Sequence, residues 1–192
     1  ILYAVQYRKT VMPGDDFKCC RIIHGEADQM PGFTCDRYGD IAVTQIACLG
    51  IELNKDVIYK ALMTVFEEIG EPLKGIYERN DLALRSKEGL EPGKGWYGDA
   101  DHSCLTEITE NGIKYSVDVE NGQKTGFFLD QKYNRLAAAK IATYSGADMV
   151  ITNGEDVSIL ERIINGEQVG TCFHANKDDT FNLEDYIMES MN

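Results

Sequence analysis

The segment 122–131 holds the densest group of glycine, polar and aromatic residues in the chain and reads Gly-Gln-Lys-Thr-Gly-Phe-Phe-Leu-Asp-Gln. A cation beside a hydroxyl suits contact with an anionic or polar ligand, and two aromatic rings suit stacking on a base. The side chains concerned are those of Lys124, Thr125, Phe127 and Phe128. Gly126 would let the backbone approach a ligand closely. The alternative interpretation is a β-bulge followed by a helix cap at Asp130.

A small basic group stands earlier in the chain, at Arg79, Arg85 and Lys87. Guanidinium and ammonium groups close together are typical contacts for RNA phosphates. The alternative is a solvated charged face. The group is notable because the whole chain is acidic, with a net charge of −13, which argues against a protein that holds nucleic acid mainly by neutralising phosphates.

Cysteine and histidine spacing does not indicate a metal site. The six cysteines include the adjacent Cys19 and Cys20 but no C-x-x-C pair, and the three histidines lie far apart at His24, His102 and His174. Tetrahedral metal sites need closer, regular spacing. We therefore expect buried thiols, a reducing compartment and no metal.

One further stretch is a candidate for ligand contact. It is not the glycine-containing stretch 89–98, which matches no phosphate-binding pattern. Residues 153–156 read Asn-Gly-Glu-Asp between a predicted strand and a predicted helix, where open α/β sheets bind ligands.

Length and composition predict one domain, or one domain and a partial second, in 192 residues. No apolar run is long enough for a membrane span, and no signal peptide is visible, so a cytoplasmic protein is expected. The first residue is Ile1, which indicates a chain that begins inside a longer reading frame or has been processed.

Residue patterns predict an α+β fold, with a small antiparallel sheet and packed helices followed by a C-terminal β-α-β segment. The apolar spacing predicts a buried helix face formed by Val57, Ile58, Ala61, Leu62, Val65 and Phe66. Asn111-Gly112 predicts a type I′ hairpin. The predicted helices are 2–11, 53–69, 131–144, 156–165 and 182–191; the predicted strands are 21–24, 33–38, 41–47, 75–78, 107–117 as the hairpin, 148–152 and 168–173, with an exposed loop over 85–101.

Several ordered motifs within residues 1–138 resemble the class I SAM-dependent rRNA methyltransferases that modify cytosine at C5 in large-subunit rRNA. They are Tyr7–Asp16, Cys20–Asp40, Tyr77–Asp81 and Gly122–Gln131. The resemblance implies a small α+β domain that lies, in that family, between an RNA-binding PUA domain and a Rossmann-like catalytic domain. It also implies that seven residues border the S-adenosylmethionine pocket: Lys124, Thr125, Gly126, Phe127, Phe128, Asp130 and Gln131.

The chain departs from that family after Arg135, because the glycine-rich SAM loop, the acidic ribose ligand, the Pro-Pro-type loop and the nucleophilic cysteine do not follow. Residues 137–192 instead resemble the C-terminal end of glutamate 5-kinase, an enzyme of proline biosynthesis. The motifs are 137–142, 145–155 and 166–173. We therefore predict a domain boundary between residues 138 and 139, inside a helix that both families share.

The sequence thus suggests a fragment of an rRNA methyltransferase that is not competent alone, with S-adenosylmethionine as cofactor and rRNA as partner. One alternative is a glutamate 5-kinase remnant, which would lack its ATP-binding lysine and glycines. The other is a non-catalytic RNA-interaction module that uses Arg79, Arg85 and Lys87. Neither methyl transfer nor ATP turnover is expected of this chain, and an uncovered apolar helix face predicts self-association.

Overall fold

Two units divide the protein, residues 1–129 and residues 130–192. The computed structural model describes residues 1–152, 154 and 157–190, with side chains up to 186. In chain order the first unit contains α1 (Leu2–Val11), α2 (Asp15–Lys18), β1 (Cys19–His24), β2 (Phe33–Tyr38), β3 (Ile41–Ile46), α3 (Leu49–Glu52), α4 (Lys55–Glu68), β4 (Gly75–Asn80), a 3-10 turn (Ala83–Glu88), β5 (Gly93–Trp96), β6 (Leu105–Glu110) and β7 (Ile113–Asp118).

Strands β1, β2 and β3 form the predicted antiparallel meander. Phe33 lies opposite Ile46, and Tyr38 lies opposite Ile41 at the other end of the pair. The connecting turns use Gly32 and Gly39, both with positive φ, a conformation that glycine adopts without strain.

The sheet differs from the prediction in its second half, because β4 lies parallel to β3. Helix α4 lies between β3 and β4 in the chain. It carries the chain back to the end of the sheet at which β3 begins, so β4 runs parallel to β3. Strand β5 then pairs antiparallel with β4 and ends a five-stranded sheet in the order β1-β2-β3-β4-β5. The predicted exposed loop over 85–101 is therefore wrong for Gly93–Trp96, whose glycines are tolerated at a sheet edge.

Helices α1 and α4 contribute to the same apolar core as the sheet. In α4 the buried side chains are Tyr59, Leu62, Val65 and Phe66, so three of the six residues of the predicted face are confirmed as buried. Ile58 and Ala61 are half-buried, and Val57 has 71% of its surface exposed. The buried stripe is centred on Leu62 and includes Tyr59 instead of Val57.

Strands β6 and β7 form the hairpin predicted from Asn111-Gly112. Asn111 has φ 53° and Gly112 φ 77°, as a type I′ turn requires. The side chains of Ile108, Tyr115 and Val117 are buried. This prediction is confirmed in both position and turn type.

The second unit contains α5 (Lys132–Tyr144), β8 (Met149–Ile151), α6 (Ile159–Ile164), β9 (Thr171–Phe173) and α7 (Leu183–Ser190). Helix α5 is continuous across the position where the resemblance places a domain boundary, and the boundary between the compact units falls before α5 instead. The boundary at 138 and 139 stays a prediction.

The predicted C-terminal β-α-β order of elements is confirmed as β8-α6-β9, but β8 and β9 pair antiparallel, with Ile151 opposite Thr171, and not parallel as strands joined by a helix usually do. The chain returns past the end of β8, where a Cβ on Gly170 would lie 2.2 Å from the Ile151 carbonyl oxygen. Strand β9 therefore begins where β8 ends. A parallel partner would have to begin beside Met149.

Helix α6 leaves much of its apolar surface uncovered within the described residues. Leu160 is 56% and Ile164 83% exposed. Self-association through this surface stays a prediction. The helices of the described residues include none that is long and apolar enough to cross a membrane.

Candidate functional site

Thr125 anchors the segment 122–131 to strand β2. Its hydroxyl donates to Asp36 Oδ2 at 2.6 Å and lies 2.8 Å from the hydroxyl of Tyr38. Tyr38 also contacts the backbone of Phe127, donating to the carbonyl oxygen at 3.1 Å and accepting from the amide at 3.3 Å. Asp36, Tyr38 and Thr125 are each 1% exposed or less, so the anchor lies inside the unit.

A buried carboxylate needs a compensating cation, and Arg21 supplies it. Arg21 donates through Nε to Asp36 Oδ1 at 2.8 Å and through a second nitrogen to Oδ2 at 3.0 Å. This two-point geometry is typical of strong arginine–carboxylate pairs. Burial raises the pKa of Tyr38 far above its usual range, so Tyr38 acts as a neutral hydroxyl. The hydrogen bonds of this cluster hold the segment against strand β2.

The loop before Lys124 is held from the other side by Arg79. Its guanidinium donates to the carbonyl oxygens of Val119 at 3.1 Å and of Gly122 at 2.8 Å. Asp118 closes the same loop by accepting from the backbone amides of residues 120 and 121, both at 2.9 Å. Burial alone would raise the pKa of Asp118, but the hydrogen bonds from Asn121 and from the residue 120 amide outweigh it and lower that pKa. The loop is therefore fixed by both its ends.

The two glycines of the segment serve the packing of the loop on itself. A Cβ on Gly122 would lie 2.2 Å from the carbonyl oxygen of Gly126 and 2.4 Å from that of Asp118. Gly126 has φ 136°, and a Cβ there would lie 3.0 Å from a methyl group of Val117. The close approach expected for a ligand is thus made by the protein's own backbone.

Lys124 stands at the tip of a tight turn. The amide of Gly126 donates to the carbonyl oxygen of Gln123 at 2.9 Å, and Lys124 between them has φ 55°. Its side chain is exposed, with the ammonium 4.5 Å from the ring centroid of Phe128, a cation–π distance. The turn therefore presents a cation and an aromatic ring together.

Asp130 and Gln131 belong to the second unit. The predicted helix cap at Asp130 is wrong, because Asp130 lies in a short 3-10 turn and α5 begins after Gln131 without a capping side chain. Gln131 instead accepts from the Asn134 side chain at 2.7 Å. The unit boundary thus separates these two residues from the other five predicted pocket residues.

The three predicted RNA contacts do not form one exposed patch. Arg79 and Arg85 are 8% and 5% exposed, and Lys87 is exposed. Arg85 donates to the carbonyl oxygen of Ile46 at 2.7 Å and to Glu52 at 3.0 Å. Both guanidinium groups are therefore occupied within the fold, while RNA contact by these residues stays a prediction.

Sequence reasoning missed Asp36 and Tyr38 as positioning residues. Both fall inside a motif that carries the methyltransferase resemblance, 20–40, but nothing there indicated a role. The available signal was the aspartate itself, since aspartate is rare inside strands and a buried one implies a partner.

Parts of the segment 122–131 are already engaged within the first unit. The hydroxyl of Thr125 bonds to Asp36 and Tyr38, and the space beside Gly122 is filled by backbone. The turn at Lys124 is exposed, and the rings that follow it are half-buried. That these residues border a cofactor stays a prediction.

Burial keeps two of the cysteine thiols protonated. It raises the pKa of the Cys20 thiol to about 12 and raises the pKa of the Cys35 thiol well above its usual value. Within residues 1–152, 154 and 157–190 there is no group of three or more metal-binding side chains. The candidate stretch 153–156 lies outside the described residues except for Gly154.

Comparison with known proteins gives one consistent class. The chain is 41% identical over 139 residues to ribosomal RNA large subunit methyltransferase I of Aeromonas hydrophila, which covers 72% of this chain and 34% of that protein. It is 40% identical over 133 residues to the Vibrio campbellii protein of the same name, covering 69% and 32%. The Escherichia coli O139:H28 protein is 36% identical over 137 residues, covering 71% and 33%. No family model matches the chain.

Solved structures with the same fold are also methyltransferases by description. A candidate SAM-dependent methyltransferase from Streptococcus mutans matches with a TM-score of 0.61 and 20% identity, over 99% of this chain and 53% of that one. A second candidate methyltransferase, solved with SAH, matches with a TM-score of 0.62 and 19% identity, over 98% and 52%.

The chain spans about a third of the length of the curated relatives it matches and about half of the solved structures. The resemblance to rRNA methyltransferases is thus supported over most of the chain. The glutamate 5-kinase resemblance is not supported by these comparisons.

Proposed function

We propose that this chain is a segment of a SAM-dependent methyltransferase that modifies cytosine at C5 in large-subunit rRNA, and that it does not transfer methyl groups by itself. The observation that carries the proposal is the 41% identity over 139 residues to a large-subunit rRNA methyltransferase. The fold match at a TM-score of 0.61 supports the fold part of the proposal. Function is argued from the sequence match, because a fold alone hosts many activities.

In this proposal seven residues of the segment 122–131 border the S-adenosylmethionine pocket, and the rest of that pocket comes from elsewhere in the functional enzyme. The seven are Lys124, Thr125, Gly126, Phe127, Phe128, Asp130 and Gln131. The cofactor supplies the methyl group. The contribution of this chain is to hold the bordering turn still: Asp36 and Tyr38 fix it through Thr125, and Arg79 fixes the loop before it. A bordering residue displaced by about 1 Å costs about a hundredfold in rate.

The proposed RNA partner is large-subunit rRNA, as the names of the relatives state for those proteins. A cytoplasmic location follows from that partner. Because the net charge of the chain is −13, contacts with RNA phosphates must come from a small group of basic residues.

The test is a hybrid enzyme. Residues 1–138 of this chain replace the matching region of the Aeromonas hydrophila methyltransferase, and transfer of labelled methyl groups to undermodified large-subunit rRNA is measured. We expect the hybrid to methylate the rRNA and the 192-residue chain alone to give no signal above a heat-killed control.

Two matched variants of the hybrid sharpen the result. Thr125→Val removes the hydroxyl that bonds to Asp36 and Tyr38. We expect this variant to have a lower kcat while it still unfolds in the same cooperative transition as the unaltered hybrid. Thr125→Ser keeps that hydroxyl and should keep most of the activity. A folded hybrid without activity, beside an active parent enzyme, would refute the proposal.

A further inference from the structure

We propose that Lys124 and Lys94 form the contact of the first unit with RNA phosphates, with the ring of Phe128 beside Lys124 as a surface for a base. The inference rests on the proposed function, which requires RNA. It differs from the sequence-based prediction in its residues, because Arg79 and Arg85 are buried and engaged in the fold.

The backbone of Lys124 is the first observation. Among the described residues other than glycine, Gln29, Asn111 and Lys124 have positive φ. Asparagine adopts this conformation readily, whereas lysine does so at a cost. A strained residue that the surrounding structure holds in place indicates a functional constraint. Glycine or asparagine would form this turn with less strain, so the side chain that the turn retains is the one to explain.

The second observation is another lysine that contacts the loop before Lys124. Lys94 lies on the edge strand β5, and its exposed ammonium donates to the carbonyl oxygen of residue 120 at 3.0 Å. Residue 120 belongs to the loop that Arg79 and Asp118 hold. One ammonium group bonded to this fixed loop and another directly after it can each contact a phosphate while the loop keeps its shape.

Lys124 borders the proposed cofactor pocket, and the chemistry favours RNA over the cofactor as the partner of its ammonium group and of that of Lys94. S-adenosylmethionine carries a sulfonium and an ammonium beside its single carboxylate. A pair of lysines would therefore repel both of its positive groups and attract only the carboxylate. An RNA strand offers a phosphate at every nucleotide and bases that stack on aromatic rings. The ammonium of Lys124, 4.5 Å from the ring centroid of Phe128, presents both kinds of contact at one point.

The experiment measures the affinity of the full 192-residue chain for a fluorescent single-stranded RNA oligonucleotide, as a function of salt. The variants are K124N, K124A, K124R and K94Q, with K60Q on the exposed side of α4 as the matched control. We expect K124N, K124A and K94Q each to weaken binding about three- to tenfold and to lower the salt slope by about 0.7. K124R and K60Q should bind as the unaltered chain does.

Thermal unfolding of the same variants separates function from packing. K124N relieves the backbone and should raise the melting temperature by about 2 °C, while K124A and K124R leave it unchanged. A variant that is more stable and binds RNA less well cannot be explained by a purely structural lysine.

Three results would overturn the inference: unaltered binding by K124N and K94Q, an equal loss in K60Q, or no RNA binding by the unaltered chain at low salt. Each of these leaves the hybrid methylation test standing on its own, because that test does not depend on which residues contact RNA. A failed hybrid with intact lysine-dependent binding would instead refute the proposed function alone.

Discussion

The two units use their apolar side chains in opposite ways. In the first unit Val5, Phe33, Ile46, Leu62 and Phe66 are completely buried in one core. In the second unit, Ala139 is the one apolar side chain among those described that is buried, while Ile164 is 83% exposed. The second unit also contains three aromatic rings in contact with one another, those of Tyr144, Phe181 and Tyr186.

Hydrophobic burial is the main source of folding free energy, so the stability of this chain should reside in the first unit. The anchor of the candidate site, Asp36 and Thr125, lies in that unit as well. The anchor of the site therefore lies in the unit that buries most of the apolar side chains among the described residues.

Removing one aromatic side chain from each unit should give the largest difference in unfolding free energy between the two units. Phe66 is 0% exposed and stacks on Phe17, and Phe66→Ala should lower the free energy of unfolding by about 3–5 kcal/mol. Phe181→Ala should change the main transition by less than about 1 kcal/mol. Urea denaturation followed by far-UV circular dichroism measures both, and equal losses would show that the two units share one core.

A glycine pair tests how firmly each unit holds its backbone. A Cβ on Gly122 or on Gly170 would lie 2.2 Å from a carbonyl oxygen of the same unit. Gly122→Ala should cost about 1–3 kcal/mol in the main transition, because its surroundings cannot shift. Gly170→Ala should leave that transition in place.

Gly50 provides the control for the substitution itself, since a Cβ there meets nothing within 4 Å. Gly50→Ala in helix α3 should be neutral or slightly stabilising. A loss in Gly170→Ala equal to that in Gly122→Ala would mean that the second unit is held as rigidly as the first.

Acid should affect the units differently through their aspartates. Asp28 accepts from two nitrogens of Arg8 at 2.5 and 2.6 Å. Burial alone would raise the pKa of Asp28, but the hydrogen bonds of Arg8 and of the His24 amide outweigh it, so that pKa lies below its usual value. The stabilisation is therefore complete above about pH 4, the unfolded-state pKa, and is lost as the pH falls through the folded-state pKa.

Asp28→Asn should thus cost about 1–2 kcal/mol at neutral pH, with a difference from the unaltered chain that shrinks in acid. Asp178 in the second unit also has a lowered pKa, from the hydroxyl and amide of Thr180, and Asp178→Asn should leave the main transition unchanged. Urea midpoints measured from pH 3 to pH 7 would check both, and a constant Asp28→Asn difference across that range would contradict the assignment.

Local signals in the sequence predicted the elements well, because their causes are local. The turn at Asn111-Gly112 needs only its own two residues, and helix α4 needs only its spacing. The parallel pairing of β3 with β4 and the antiparallel pairing of β8 with β9 depend on where a connection returns, which no short pattern specifies.

The candidate site was half predictable for the same reason. The segment around Thr125 is visible in the sequence, but its anchors Asp36 and Tyr38 come from a distant strand. Arg85 has the composition of a surface cation, yet Ile46 and Glu52, which bury it, lie far from it along the chain. Long-range partners of polar residues were the missing information.

The bond between Thr125 and Asp36 joins residues that are 89 positions apart. During synthesis at about 5–20 residues per second, Asp36 therefore leaves the ribosome roughly 5–20 seconds before its partner. Arg21, made earlier still, can already pair with the carboxylate in that interval. The carboxylate of Asp36 is thus paired with Arg21 before Thr125 has been synthesised. The loop with Lys124 then docks late, onto a strand β2 that has already formed.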